Sequence, residues 1–99
     1  MLTNELTFVW DENKNEANIK KHGLSFDIAM HVFLDPNYID LYDENHSVDE
    51  ERHIIIGFVE KIIFVVCVFQ DDAIRIISCR IASKQEEEYY YDHKACFKN

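Results

Sequence analysis

The hydrophobic pattern changes period once, at Pro36, and the change divides the chain into a helical and a stranded part. Phe8-Val9-Trp10 opens as a short apolar strand. Asp11 follows in a capping position, with Glu12 in the first turn, where a helix dipole favours negative charge. The helix begun there runs to about Lys21. Lys20, Lys21 and His22 fall at its negative end, and Gly23 suits the left-handed residue that terminates it. Ser25 stands where a second helix needs a cap; Phe26, Ala29, Met30 and Phe33 recur at helical spacing and give it one apolar face. Pro36 ends it. In Tyr38 to Tyr42 the period becomes two, with Ile39 and Leu41 on one side of a half-exposed strand. Asp43 to Glu51 is an acidic loop. Ile54 to Val59 is a strand, Glu60-Lys61 a tight turn, and Ile62 to Phe69 the continuous apolar run of a central strand. Gln70-Asp71-Asp72 turns into a last strand, Ile74 to Ile81. Ser83-Lys84-Gln85-Glu86 has the spacing of a capping box and starts a final helix through Tyr91, with His93 to Asn99 expected to fray. On that helix Tyr89, Tyr90 and Tyr91 point about 100° apart, so one is expected to pack on the sheet and two to stay at the surface. The order is β-α-α-β-β-β-β-α. Sequential hairpins of this kind predict an α+β fold, an antiparallel sheet with helices packed mainly on one face.

Ninety-nine residues, 47% of them hydrophobic and 29% charged, make one soluble domain with one core. No apolar run approaches the ~18–20 residues of a membrane span. Met1-Leu2-Thr3-Asn4-Glu5 lacks the basic and apolar regions of a secretory leader. Cys67, Cys79 and Cys96 are odd in number and form no Cys-x-x-Cys; two sit inside strand patterns as small hydrophobes, which points to reduced thiols and a cytoplasmic protein. The net charge of −9 argues against a general duplex-DNA binder, which needs a basic face. The charges are segregated, however. Residues 35–51 contain no Lys or Arg, and Glu86-Glu87-Glu88 forms a second acidic block. That distribution fits a small basic site on an acidic body, or an acidic body that holds a basic partner.

The candidate chemistry concentrates in Arg75-Ile76-Ile77-Ser78-Cys79-Arg80, an apolar strand that carries two guanidiniums. A half-buried Arg needs a carboxylate or an anion, and its planar fork matches phosphate oxygens. Arg80 ends the strand, where it can meet a phosphate or pair with Glu86 or Glu87. Positions 75 and 80 have opposite parity, so they share a face only if a bulge intervenes or the strand stops early; otherwise Arg75 is pinned by a carboxylate across the sheet. Arg52 opens a strand after Glu50-Glu51, as a phosphate ligand beside a carboxylate base, or as a loop residue paired with Asp49. Lys21 and His22 offer a cation and a group that titrates near neutrality, or merely complement a helix dipole. The five histidines show no His-x-His and no His-Glu-x-x-His, so no metal site is expected, and with glycine only at 23 and 57 there is no phosphate-cradling loop.

Six short motifs occur in a recognisable order: Phe8-Val9-Trp10-Asp11, Lys21-His22-Gly23, Ser25-Phe26-Asp27-Ile28-Ala29, Asp35-Pro36, Glu50-Glu51-Arg52 and Arg75 to Arg80. Together, from about Phe8 to Tyr91, they resemble the BrnT family, the toxin half of a bacterial type II toxin–antitoxin pair. The resemblance implies a RelE-like fold and an endoribonuclease that uses neither metal nor cofactor. It implies catalytic roles for Arg80, Arg52, Glu51, His22 and Lys21 on one concave surface, with Arg75, Lys20 and Lys84 as substrate-binding cations. It also implies a cognate antitoxin of ribbon–helix–helix type, through which alone the complex would bind DNA. Two other readings stay open: a catalytically inactive binding module that keeps the toxin fold, which the −9 charge favours, and a small enzyme acting on a phosphorylated small molecule.

Overall fold

The run from Ile62 to Phe69 is apolar at every position, so both faces of the strand that carries it need cover. The computed structural model describes residues 6–97 and has helices on both sides of a single sheet. Its elements are β1 (Thr7–Val9), α1 (Glu12–His22), α2 (Phe26–Val32), β2 (Ile39–Tyr42), a 3-10 turn (Glu44–His46), β3 (Arg52–Val59), β4 (Lys61–Gln70), β5 (Ala73–Ile81) and α3 (Lys84–Phe97). The opening pentapeptide, where the sequence predicts no secretory leader, lies outside the described residues, as does the side chain of Cys96.

The sheet order is β1-β5-β4-β3-β2. Strands β2 to β5 form an antiparallel meander. The expectation of a wholly antiparallel sheet fails at one edge, where β1 runs parallel to β5 with Phe8 opposite Ile74. No hairpin joins β1 to β5, since α1, α2 and β2 to β4 all lie between them in the chain, so the pair is free to run parallel. A second correction concerns the helices. Phe26, Ala29 and Val32 of α2 pack on Ile55, Val65 and Ile76 from one side. Tyr90 of α3 packs with Ile39, Ile56 and Ile62 on the other. Helices on one face would have left this second row of isoleucines in water.

Local signals account for the ends of the elements. Asp11 Oδ1 accepts the amides of Asn13 and Lys14, and Gly23, at φ 75°, returns its N–H to Ile19. Ser25 makes no side-chain cap. The capping box forms, with Ser83 Oγ accepting the Glu86 amide at 3.2 Å and Glu86 Oε1 accepting the Ser83 amide at 2.8 Å. The last helix continues to Phe97, past the expected fraying point. Tyr90 is buried while Tyr89 and Tyr91 are exposed. Its hydroxyl donates to Asp35 Oδ2 at 2.5 Å, and the same oxygen accepts the Phe58 amide, beyond the last β2–β3 pair, Ile39 with Ile56. Burial, and then Asp35, push the Tyr90 phenol above its ordinary range, so it remains a donor. At Gly57 α2 lies close against the sheet: a Cβ there would stand 2.7 Å from Val32 Cγ1 and 3.2 Å from Val32 O.

Helix α1 docks through amides rather than an apolar stripe. Its buried residues are Asn15 and Asn18, while Ile19 is exposed. Asn18 Nδ2 donates to Leu24 O and Cys79 O, both at 2.9 Å, and Asn18 Oδ1 accepts the Cys79 amide. Asn15 Oδ1 accepts the Phe26 amide. Burial pushes the Cys79 thiol up to about 11, against the lowering effect of Asn18, and the Cys67 thiol up to about 12, so neither is a nucleophile near neutrality. Asn18→Ala leaves buried backbone groups of Cys79 and Leu24 without partners. It should reduce stability by about 2–4 kcal/mol, read as a lower urea midpoint at unchanged slope. An unchanged midpoint would show that α1 is held by something else.

Candidate active site

Strand β5 contains one extra residue. Cys67 pairs with Ile76 and Val66 with Ser78, which leaves Ile77 without a partner. The bulge resets the alternation of side chains. Before it, Ile74 and Ile76 enter the core under α2; after it, Cys79 does. Arg75 and Arg80 therefore emerge on the same face, the one covered by α3. Strand β3 begins at Arg52, earlier than its apolar run suggests, and Arg52 lies opposite Val68, which also lies opposite Arg75. Three rows cross this face: Arg52-Val68-Arg75, then Ile54-Val66-Ser78, then Ile56-Phe64-Arg80. Two rows carry guanidiniums, about 13 Å apart along the strands, with a neutral row between them.

Two of the three arginines hold carboxylates. Arg80 Nη1 and Nη2 donate to Glu86 Oε1 and Oε2, each at 2.9 Å, and its guanidinium carbon lies 4.0 Å from the Phe64 ring centre. Burial would raise the Glu86 carboxyl, but the Arg80 fork and the Ser83 amide outweigh it and hold the group below its ordinary value. Arg75 donates to Glu50 Oε2 at 2.6 Å, and this bond is the largest cause that lowers the Glu50 carboxyl. Arg52 is different. Glu50 Oε1 stands 4.0 Å away, and Arg52 Nε is buried with no hydrogen-bond partner among the described residues.

A hollow of about 450 Å³ opens over the neutral row. Arg52 and Arg80 line it, with Ser78 in its floor and Asp43 and His46 at its rim. The 3-10 turn that carries His46 is fixed by backbone contacts: the Asp43 amide donates to Arg52 O, and the Ser47 hydroxyl donates to Asp43 O at 2.5 Å. Asp43 is 9% exposed, and its carboxylate accepts from His46 Nδ1 at 3.0 and 3.2 Å.

The expected single surface is thus only partly assembled. Arg52 and Arg80 meet at the hollow, and Arg75 both shares their face and is pinned by a carboxylate. Lys20, Lys21 and His22 do not line it, because they end α1, which Asn18 fastens to the opposite face of β5. Glu51 is exposed in the loop before β3, and Lys84 is exposed at the start of α3; neither lines the hollow. Sequence reasoning passed over Asp43, His46 and Ser78. The one available signal was the Asp43-x-x-His46 spacing, a single turn inside an otherwise featureless acidic loop. Among the described residues no three His, Cys, Asp or Glu side chains gather as a metal-ligand set, and no helix is long and apolar enough to cross a membrane.

Comparison with known proteins agrees with this architecture. No curated protein matches the chain. A family model described as the ribonuclease toxin, BrnT, of type II toxin–antitoxin systems matches residues 10–86. The crystal structure of the Brucella abortus ribonuclease toxin BrnT superposes with a TM-score of 0.65 at 31% identity, over 81% of this chain and 100% of that one. A family match over most of the length, together with a solved relative of the same mixed α+β design, places this chain in the BrnT family of ribonuclease toxins.

Proposed function

We propose that this protein is an endoribonuclease toxin that cleaves RNA without a metal ion, through attack of a 2′-hydroxyl on the neighbouring phosphate. The observation that carries the reading is the hollow bounded by Arg52 and Arg80, with Arg75 on the same face. The planar guanidinium forks that border the hollow suit phosphate oxygens. Fixed guanidiniums aimed at a phosphorane supply the largest share of catalysis in this chemistry. In this reading Glu50 and Glu86 orient Arg75 and Arg80 in the resting protein, and the substrate phosphates compete with them. The family relation supports RNA as the substrate and a cognate antitoxin as the partner. We assign DNA binding to the antitoxin, of ribbon–helix–helix type, because this chain carries −9. Lys21, His22, Lys20, Lys84 and Glu51 keep at most an outlying part in binding RNA.

The carboxylates already seated on Arg75 and Arg80 give a second reading some weight, that of a binding module without catalysis. Growth separates the two: expression of an active toxin arrests growth and antitoxin co-expression relieves it, whereas a module binds the antitoxin and leaves growth unchanged.

Cleavage should survive EDTA and leave a 2′,3′-cyclic phosphate; loss in EDTA with recovery on adding a divalent ion would overturn the metal-free mechanism. Arg80→Ala and Arg52→Ala should each lower the cleavage rate by about 10²–10³, and Arg80→Lys should recover only part, because a point charge cannot bind two phosphate oxygens. Full toxicity of a folded Arg80→Ala variant would remove Arg80 from the mechanism.

The Glu86 carboxyl also makes stability depend on pH. Its folded value is lowered, so its contribution is present above the ordinary carboxylate range and is lost as the pH falls through the folded value. Glu86→Gln should be less stable than the parent at neutral pH, and the gap should close in acid. A gap in urea midpoint that stays constant with pH would mean the ion pair adds nothing to folding.

A further inference from the structure

We infer that His46 is the general base of the cleavage step and that Asp43 is its positioning residue; this rests on the ribonuclease reading given above. Base candidates drawn from the sequence, His22 and Glu51, do not line the hollow. Of the groups that do, the side chains able to titrate are Asp43 and His46 beside the two arginines. An arginine stays protonated and cannot serve as a base. The Asp43 carboxylate is nearly buried and spends both oxygens on His46. The imidazole is left as the group of the hollow that can both take and return a proton.

The hydrogen bond fixes the tautomer. A carboxylate only accepts, so Nδ1 of the neutral ring carries the proton and Nε2 carries the lone pair. His46 is 68% exposed at its side chain, so the ring is open to a substrate in the hollow. The Asp43 charge then stabilises the imidazolium once it forms, the division of labour seen wherever a buried aspartate backs a histidine base. The step balances as follows. Nε2 takes the proton of the 2′-hydroxyl, the 2′-oxygen bonds to the adjacent phosphorus, and the bond from phosphorus to the 5′-oxygen breaks. The leaving 5′-oxygen takes a proton from water, and the hydroxide so formed takes the proton from His46, restoring the neutral ring. A 2′,3′-cyclic phosphate and a 5′-hydroxyl result, while Arg52 and Arg80 hold the non-bridging oxygens.

The test uses the purified chain with RNA, both free and ribosome-bound, and an all-deoxy oligonucleotide as an uncleavable ligand for binding. His46→Ala should lower cleavage by about 10²–10³ with oligonucleotide binding unchanged. Added imidazole should return part of the rate to His46→Ala and none to Arg80→Ala. Asp43→Asn should lose less than His46→Ala, again with binding unchanged. If the parent chain cleaves RNA and His46→Ala cleaves equally fast, the assignment of His46 is overturned and the ribonuclease reading stands. A rate that imidazole cannot restore, or binding lost along with cleavage, likewise makes His46 structural and overturns the assignment. A parent chain inert on both forms of RNA overturns the ribonuclease reading itself.

Discussion

Side-chain alternation along a strand is rigid, and β5 must satisfy two demands that regular alternation cannot meet together. Ile74, Ile76 and Cys79 belong under α2, and its arginines belong on the other face. In an unbroken strand Ile74, Ile76, Ser78 and Arg80 would share one side, so a guanidinium would enter the apolar core or the isoleucines would leave it. The unpaired Ile77 removes the conflict by shifting the parity once. Everything on the α3 face follows from that shift: Arg75 stands across Val68 from Arg52, Ser78 becomes the floor of the hollow, and Arg80 reaches the first turn of α3.

The helices are placed by a different kind of constraint on each side. Helix α2 is held by close packing at Gly57 and by three buried side chains. Helix α1 is held by two asparagines that complete backbone hydrogen bonds of β5 and of the α1–α2 connection. Helix α3 is held by Tyr90 and Asp35 at one level and by Arg80 and Glu86 at its start. The latter pair couples the fold to the site, because the guanidinium that anchors the helix is also the one that faces the hollow.

Much of this is legible in the sequence alone. The period change at Pro36, the capping residues Asp11 and Ser83, and the apolar run of β4 each reflect local chemistry that sequence records directly. The conditional reading of Arg75 and Arg80 identified a bulge as the device that would unite them. What sequence did not record is which side of the sheet a helix covers. Tyr90 and Asn18 are both polar and both buried, and nothing in their neighbours tells that one packs on the α3 face and the other on the α1 face. For that reason the sequence did not show that Lys21 and His22 end a helix away from the hollow. Asp43 and His46 were passed over because a 3-10 turn of three residues leaves no periodic trace, and its position depends on Ser47 and Arg52 backbone contacts that only the folded chain makes.

The carboxylates seated on Arg75 and Arg80 have one more consequence. Nucleic-acid binding usually draws its driving force from small ions released when phosphates meet mobile side-chain cations. Here Arg75 and Arg80 are already neutralised by groups covalently part of the protein, so a phosphate arriving at either would exchange with Glu50 or Glu86 and free few ions into solution. On the proposed reading a substrate phosphate would take the place of an internal carboxylate, and the hold on RNA would depend on geometry more than on ionic strength. A chain of net charge −9 can in this way keep a selective anion site while its surface as a whole repels polyanions.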